Sequence, residues 1–184
     1  ADVTHYVKPD DVIDREAQRR ATSVYLVDRV IPMLPERLSN QLCSLRPDED
    51  KCCFSAVFTI NNEGQISYRW IGRTLIHSNR RFTYEEAQDR IETGEGDLSA
   101  EIQLLDGLAK KLRAKRFSDG AVGFDRSEMR FKLNDKGEPI DIIIKESKDS
   151  HKLIEEFMLL ANREVSENYR RHIKTKDAPP FVYR

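Results

Sequence analysis

The sequence predicts an α+β fold in which antiparallel hairpins are flanked by α-helices. Two turn-forming tetrapeptides, at 61–64 and 134–137, each separate segments with the character of β-strands. Two long segments, 99–117 and 151–172, carry apolar residues at helical spacing. No internal repeat or low-complexity run interrupts this pattern, so we expect a mixed sheet with helices packed beside it.

The composition is typical of a water-soluble domain with a large polar surface. The chain has 184 residues, which is enough for one domain with a buried core. Hydrophobic residues make up 39% and charged residues 34%, and no apolar run approaches the roughly 20 residues of a membrane-spanning helix. The formal net charge is -1, so overall charge does not indicate a nucleic-acid partner, although a basic groove can coexist with acidic outer faces.

The cysteines indicate a reducing compartment. Cys43, Cys52 and Cys53 are odd in number and two of them are adjacent, which makes a poor disulfide framework. Their spacing also does not match a zinc site, and no signal-peptide pattern opens the chain. We therefore expect a cytoplasmic protein with reduced thiols and no membrane contact.

The start of the chain predicts a strand followed by a short helix. Residues 1–7 alternate between polar and apolar types, and the first residue is not methionine. A domain seldom begins inside a buried strand ladder, so we interpret the chain as the interior of a longer protein. Pro-Asp-Asp at 9–11 predicts a turn, and 14–23 predicts a polar helix.

Prolines shape the next segment. Residues 24–34 are apolar, but Pro32 and Pro35 remove backbone donors and fix φ, so an extended loop is expected rather than a helix. Pro35 suits the first position of a helix, which we predict over 36–45.

A hairpin and a helix are predicted in the middle of the chain. Apolar and polar residues alternate over 54–60, and the returning strand covers about 66–76 after an Asn-Asn-Glu-Gly turn. A helix over 83–91 follows, with Glu85 and Glu86 in its first turn, where negative charge is favourable.

A long helix is predicted to reach about Phe117, with Asp97 or Ser99 as its cap. Its expected buried stripe is Ile102, Leu105, Ala109 and Leu112. Its basic residues are Lys110, Lys111, Arg113, Lys115 and Arg116. These basic side chains either meet phosphates or form a solvated outer face, and the second interpretation is the default.

The last predicted elements are a hairpin, 128–133 with 140–145, and a helix over 151–172 capped by Asp149. The apolar arc expected on that helix is Ile154, Phe157, Met158, Ala161 and Val165. The face expected to lie opposite it carries Lys152, Glu156, Arg163 and Glu167. Glu155 falls at the boundary between the two faces, whereas Glu156 is expected to be solvated.

The sequence does not predict a catalytic metal site in this chain. The four histidines are scattered, and the acidic run at 48–50 is most simply a solvated loop. Enzymes that hydrolyse phosphodiesters usually hold metal ions with clustered carboxylates, which polarise the phosphate and activate water. We therefore assign no catalytic residue and no metal ligand to these 184 residues.

Residues 22–47 carry the most specific pattern in the chain, with Pro-Met-Leu-Pro, Leu-Ser-Asn and Leu-Cys-Ser-Leu in order. This segment resembles the central part of the RNB catalytic domain of the ribonuclease R / ribonuclease II family, and the local likeness is greatest to bacterial ribonuclease R. A second stretch of strong resemblance covers 149–162, and the likeness extends over essentially the whole of 1–184 and is weakest between about 85 and 119. The resemblance implies a magnesium-dependent exoribonuclease that hydrolyses single-stranded RNA from 3′ to 5′, releases nucleoside 5′-monophosphates and does not use DNA.

The same resemblance implies that 1–184 is a partial RNB domain. The family's metal-binding aspartates, the arginines and glutamate of the later part of the domain, and the flanking cold-shock and S1 modules have no counterpart in the sequence. We therefore expect Mg²⁺ only in a full-length parent, which the resemblance suggests is monomeric. This chain alone is expected to be inactive.

Four residues match RNA-binding positions of the family: Tyr25, Tyr84, Phe124 and Glu155. The resemblance implies that Tyr25 and Phe124 stack on bases near the 3′ end, a contact worth about 1–3 kcal/mol per base. It also implies that Tyr84 and Glu155 recognise the ribose, whose 2′-hydroxyl distinguishes RNA from DNA. The alternative for Tyr25 and Phe124 is a place in the hydrophobic core.

Three classes of function fit these observations. The first is a piece of an exoribonuclease that supplies residues of the RNA channel. The second is a non-catalytic module that binds single-stranded RNA. The third is a structural or interaction domain with no role in RNA binding.

Overall fold

The computed structural model describes residues 1–123, 128–134, 138–145 and 147–173. Helices and paired strands occur together in these ranges, which confirms the predicted α+β class. The described residues fall into two compact units: the first draws on Ala1–Ser55, Gly72–Arg81 and Ser127–Glu146, and the second on Ala56–Ile71, Phe82–Arg126 and Ser147–Arg184. None of the helices in the described ranges has both the length and the apolar character needed to span a membrane.

The first unit opens with a helix rather than the predicted strand. Helix α1, Val3–Tyr6, forms because the Asp2 carboxylate accepts hydrogen bonds from the Thr4 backbone N–H at 3.0 Å and from the Thr4 hydroxyl at 2.5 Å. Asp2 is buried, and its other carboxylate oxygen lies 3.1 Å from Nε of Arg73. The Thr4 hydroxyl and the Arg73 guanidinium hold the pKa of Asp2 below its usual value. The prediction of a strand from the alternation over 1–7 is therefore wrong.

Helix α2, Val12–Arg20, starts slightly earlier than predicted. The Asp11 side chain accepts a hydrogen bond from the Asp14 N–H at 2.7 Å, which caps the first turn. The helix ends at Ala21, whose φ of 60° lies in the left-handed region.

The proline-containing segment is largely extended, as predicted, but it includes a short hairpin. Strands β1, Val24–Tyr25, and β2, Val30–Ile31, pair antiparallel. The helix that follows is not the predicted α-helix over 36–45. It is a π-helical segment, Arg37–Leu42, in which the Cys43 N–H donates to the Leu38 carbonyl at 2.8 Å.

The two larger predicted hairpins are present. Strands β3, Asp50–Ile60, and β4, Ile66–His77, pair beside each other, and β3 starts four residues earlier than expected. The Asn61 side chain accepts hydrogen bonds from the backbone at 63 and 65, which closes the turn. Strands β5, Glu128–Leu133, and β6, Pro139–Lys145, are antiparallel, whereas the turn residues 135–137 lie outside the described residues.

The second unit contains helices α3, Tyr84–Thr93, α4, Ser99–Ser118, and α5, Asp149–His172, which all contact one another. Thr83 caps α3 and forms a reciprocal capping box with Glu86. Neither of the two caps proposed for α4 is used, because Leu98 occupies the cap position and makes no side-chain hydrogen bond there.

The buried stripe of α4 differs from the expected one. Ile102 and Ala109 are buried as predicted, but Leu105 is 40% exposed. Asp106 is buried beside them and accepts a hydrogen bond from Lys110 at 2.6 Å. Hydrophobicity alone therefore identified only part of the buried stripe of α4, because the paired Asp106 occupies one of its positions.

The buried face of α5 is also rotated from the predicted one, and the helix begins at Asp149 rather than after it. Ile154 and Met158, expected in the apolar arc, are 43% and 59% exposed. The buried positions are Ser150, Leu153, Glu156, Leu160 and Glu164. Because two of these are glutamates paired with arginines, charge pairing as well as apolar burial determines how α5 faces its neighbours.

The capping box of α3 provides a test of local helix stability. We expect Thr83→Ala to lower the free energy of unfolding by about 1 kcal/mol, because the first turn of α3 loses a side-chain acceptor. The matched control is Ser99→Ala, at the start of α4, where no side-chain cap is present. Urea unfolding followed by circular dichroism measures both, and equal losses for the two variants would contradict the assignment.

Candidate nucleic-acid interface

Tyr25 lies on the short strand β1 and its side chain is open to solvent. The residue is 78% exposed, and its backbone pairs with Val30 of β2. The core interpretation of this tyrosine is therefore wrong. The neighbouring exposed apolar residues are Val24, Leu26, Val27, Val30 and Ile31. The hairpin thus presents an aromatic ring within an apolar surface, which is the type of surface on which a nucleobase stacks.

Phe124, the second predicted base-stacking residue, lies outside the described residues, so its contact with RNA stays a prediction. The two glycines before it are described. Gly120 has a φ of +99°, a conformation that favours glycine. A Cβ on Gly123 would lie 3.1 Å from the Phe117 ring, so this position also leaves little room for a larger residue.

Tyr84 is the first residue of α3, and its ring stacks on the ring of His151 in the first turn of α5. The ring centroids are 4.1 Å apart and the planes differ by 12°. The His151 Nδ1 accepts a hydrogen bond from the Lys148 N–H at 3.3 Å, which orients the imidazole. Tyr84 is 40% exposed, so part of its surface remains available for contact with a ligand.

An apolar cleft of about 400 Å³ lies beside this stack. It is lined by Phe82, Thr83, Tyr84, Ala87, Ile102, Leu105, Ser150, Leu153 and Ile154. The sequence reasoning did not select His151, which structurally links the start of α3 to the start of α5. Its spacing of one helical turn from Glu155 could have marked His151 as a candidate, but the spacing does not indicate the contact with Tyr84.

Glu155 lies one turn after His151 on α5, so the two residues share one side of the helix. The Glu155 side chain is 49% exposed. Its Oε1 lies 3.4 Å from Nη2 of Arg116 and 3.8 Å from Nη1 of Arg113. Within the second unit, Tyr84 therefore stacks on the first turn of α5, and Glu155 lies one turn further along the same helix.

The prediction that Glu156 is solvated is wrong. Glu156 is only 3% exposed, rather than solvated, and it accepts hydrogen bonds from Arg116 Nη2 at 2.5 Å and Arg116 Nε at 3.1 Å. Arg113 Nη1 also donates to Glu156 at 3.3 Å. The pairing with Glu156 raises the pKa of Arg116. Both guanidinium groups lie about 5 Å from the centre of the Phe117 ring, a distance suited to cation–π attraction.

Comparison with known proteins identifies the family. The RNB domain family matches residues 1–184. The chain belongs to the RNB domain family. It is 42% identical to the DIS3-like exonuclease 2 of Schizosaccharomyces pombe over 91% of this chain and 20% of that protein. It is 38% identical to Ribonuclease R 1 of Lactococcus lactis over 100% of this chain and 23% of that protein.

A solved structure confirms the fold of this RNB chain. RNase R of Mycoplasma genitalium, in complex with ribose methylated single-stranded RNA, matches with a TM-score of 0.85 at 29% identity. The match covers 93% of this chain and 28% of that protein. The α+β arrangement predicted from the sequence is therefore that of part of an RNB protein.

Membership of the RNB family does not by itself establish cleavage. A relative from Arabidopsis thaliana, named Inactive exonuclease DIS3L2, is 38% identical over 91% of this chain and 17% of that protein. The chain spans about a fifth of the length of these DIS3-like relatives.

The basic residues of α4 in this RNB chain have local partners. Lys110 lies 2.6 Å from Asp106 and 3.3 Å from Asp149, and its pKa is raised by the hydrogen bond to Asp106. Lys111 donates to the backbone carbonyl of Asn62 at 2.6 Å. Lys115 forms an exposed pair with Asp119. These contacts favour a structural role for α4 over phosphate binding.

Two residues of the acidic run at 48–50, which was predicted to be a solvated loop, form hydrogen bonds with nearby side chains. Glu49 accepts a hydrogen bond from the buried Lys51 at 2.5 Å, and Asp50 lies 2.7 Å from Nδ1 of His77. Within the ranges that the structure describes, no three or more His, Cys, Asp or Glu side chains gather in a metal-binding arrangement. Cys43, Cys52 and Cys53 are free thiols.

The contrast between the adjacent glutamates of α5 can be tested by stability. We expect Glu156→Ala to lower the free energy of unfolding by about 3 kcal/mol, because two arginines lose a buried partner. Glu155→Ala should cost less than about 1 kcal/mol, since this pair is half exposed. Denaturant unfolding of both variants measures the two losses of stability. Similar losses would show that Glu156 contributes no more than Glu155 to the contacts with Arg113 and Arg116.

Proposed function

We propose that this chain supplies RNA-channel residues to a hydrolytic exoribonuclease that degrades single-stranded RNA from 3′ to 5′ and releases nucleoside 5′-monophosphates. Membership of the RNB family and similarity to ribonuclease R support this proposal. The observation that carries it is the exposed ring of Tyr25, at the position where the sequence resemblance implies base stacking. A tyrosine that served only the core would be buried.

The proposed contacts fall into two groups, one with the bases and one with the sugars of the RNA. Tyr25 and Phe124 would stack on bases near the 3′ end, which holds a strand without regard to its sequence. Tyr84 and Glu155 would contact the ribose, whose 2′-hydroxyl both donates and accepts hydrogen bonds. Solved structures of Mycoplasma genitalium RNase R with ribose methylated single-stranded RNA and with double-stranded RNA support RNA as the ligand class.

Hydrolysis in the proposed parent would use Mg²⁺, which polarises the phosphate and activates water. The described part of this chain does not offer a matching cluster of carboxylates, so no step of metal-dependent cleavage is assigned to its residues. A cytoplasmic location, a monomeric parent and a lack of activity on DNA belong to the same proposal. The location follows from the cysteine content and the other two from the sequence resemblance.

The alternative function is a non-catalytic module that binds single-stranded RNA. The existence of a relative named as inactive favours keeping this candidate. The two proposals differ in the behaviour of a full-length protein that carries this chain. An exoribonuclease shortens labelled RNA in the presence of Mg²⁺, whereas a binding module retains it at full length.

We expect the 184-residue chain to leave poly(A) intact in the presence of Mg²⁺, because the ligands needed for the metal ions are not expected within it. Gel electrophoresis of end-labelled poly(A) provides the measurement. A full-length protein carrying the chain serves as the control and should shorten the same RNA. Robust shortening by the chain alone would show that the metal site has been misplaced.

In such a full-length enzyme, we expect Tyr25→Ala to lengthen the final undigested product, because the last stacked contact is lost at a cost of about 1–3 kcal/mol per base. High-resolution gels of limit digests measure the product length. Tyr25→Phe, which keeps the ring, should preserve the length. Tyr68→Ala removes another exposed tyrosine, from β4, and is the matched control. An unchanged product with Tyr25→Ala would exclude the proposed base contact.

A further inference from the structure

Glu155 and Glu156 share one arginine although their environments differ. Nη2 of Arg116 lies 2.5 Å from Oε1 of Glu156 and 3.4 Å from Oε1 of Glu155. Glu156 is buried at 3% exposure, whereas Glu155 is half exposed. A single guanidinium nitrogen therefore lies between an interior carboxylate and one that faces solvent.

The contact with Glu156 determines where the guanidinium lies. Arg116 uses both Nη2 and Nε on the two oxygens of Glu156, the paired geometry that a planar guanidinium favours. Arg113 donates to the same carboxylate at 3.3 Å and contributes a second positive charge. Because two of its nitrogens bind the buried Glu156 carboxylate, the Arg116 guanidinium has little freedom to move.

The arrangement leaves the Glu155 carboxylate asymmetric. Its Oε1 accepts a hydrogen bond from Arg116, and the structure records no hydrogen bond to its Oε2 within the described residues. A glutamate side chain free in solvent samples many rotamers and loses that freedom when it binds a ligand. A partner at Oε1 removes part of this cost before the ligand arrives.

We propose that Arg116, anchored by Glu156, is a positioning residue that holds the Glu155 carboxylate so that Oε2 accepts a hydrogen bond from a ribose 2′-hydroxyl. This inference rests on the proposed role of Glu155 in sugar recognition. The neighbouring stack of His151 on Tyr84 holds the other predicted sugar contact in a comparable way. Both candidate contacts are thus oriented by partners within the second unit.

Two substitutions separate positioning from simple charge. Arg116→Lys keeps the positive charge, but a lysine cannot bind both oxygens of Glu156 as a planar fork while it reaches Glu155. Arg116→Gln removes the charge as well. Lys115→Gln is the matched control, because Lys115 is the preceding residue of α4 and forms only an exposed pair with Asp119.

The experiment uses a full-length enzyme that carries this chain. It compares kcat/KM for a single-stranded RNA with kcat/KM for the same RNA bearing 2′-deoxyribose in its 3′-terminal nucleotides. We expect Glu155→Gln, Arg116→Lys and Arg116→Gln each to lower this preference about three- to tenfold, the effect of one lost hydrogen bond. Lys115→Gln should leave the preference unchanged, and Glu155→Gln combined with Arg116→Lys should lower it no further than Glu155→Gln alone.

The outcomes distinguish the inference from the function on which it rests. If Glu155→Gln keeps the wild-type preference, the sugar-recognition role and the inference both fail. If Glu155→Gln lowers the preference but Arg116→Lys, shown to be folded by thermal unfolding, keeps it, only the positioning role is overturned. A purely structural role predicts that Arg116→Lys lowers the melting temperature and slows both substrates equally, and that result also overturns the inference. If Arg116→Gln does not fold, Arg116→Lys decides the question.

Discussion

The second unit depends on the burial of Glu156 between two arginines of α4. A buried carboxylate is costly unless it is paired and hydrogen-bonded, and here Arg113 and Arg116 together supply the donors. Because the pair joins α4 to α5, it restricts the rotation of α5 about its own axis. The rotation in turn determines that Glu155 lies at the surface and that Ile154 and Met158 are exposed.

Other polar contacts reinforce the same packing of helices. The backbone N–H of Ser150 donates to the Gln88 side chain at 3.0 Å, which ties the start of α5 to α3. Arg69 of β4 lies 3.0 Å from Glu164, which is also buried. Polar pairs require particular partners and geometry, whereas apolar contacts tolerate sliding. The position of the first turns of α5, which carry Glu155 and contact Tyr84, is therefore defined by specific bonds as well as by hydrophobic burial.

The first unit presents its candidate contact differently. Tyr25 lies on a hairpin with two residues in each strand, and its ring projects from an apolar surface instead of entering a core. A short hairpin has few backbone hydrogen bonds of its own. The Met33 N–H donates to the Ser23 hydroxyl at 2.9 Å, and Arg20 donates to the Pro32 carbonyl at 3.0 Å, so side chains beside the hairpin tie its two ends to the preceding helix and to each other. This support allows an exposed aromatic residue to keep a defined orientation.

The sequence by itself determined the elements whose signals are local, together with the family. The Asn61 turn and the Thr83–Glu86 capping box are complete within a few residues, so their positions could be predicted. Tertiary structure decided the pairing of Asp2, the local cap of α1, with the distant Arg73, and the buried face of α5, which is set by arginines of α4. Partners that are far apart in the chain leave no periodic signal in either segment, and for this reason the burial of Glu156 and the stacking of His151 on Tyr84 could not be predicted from the sequence.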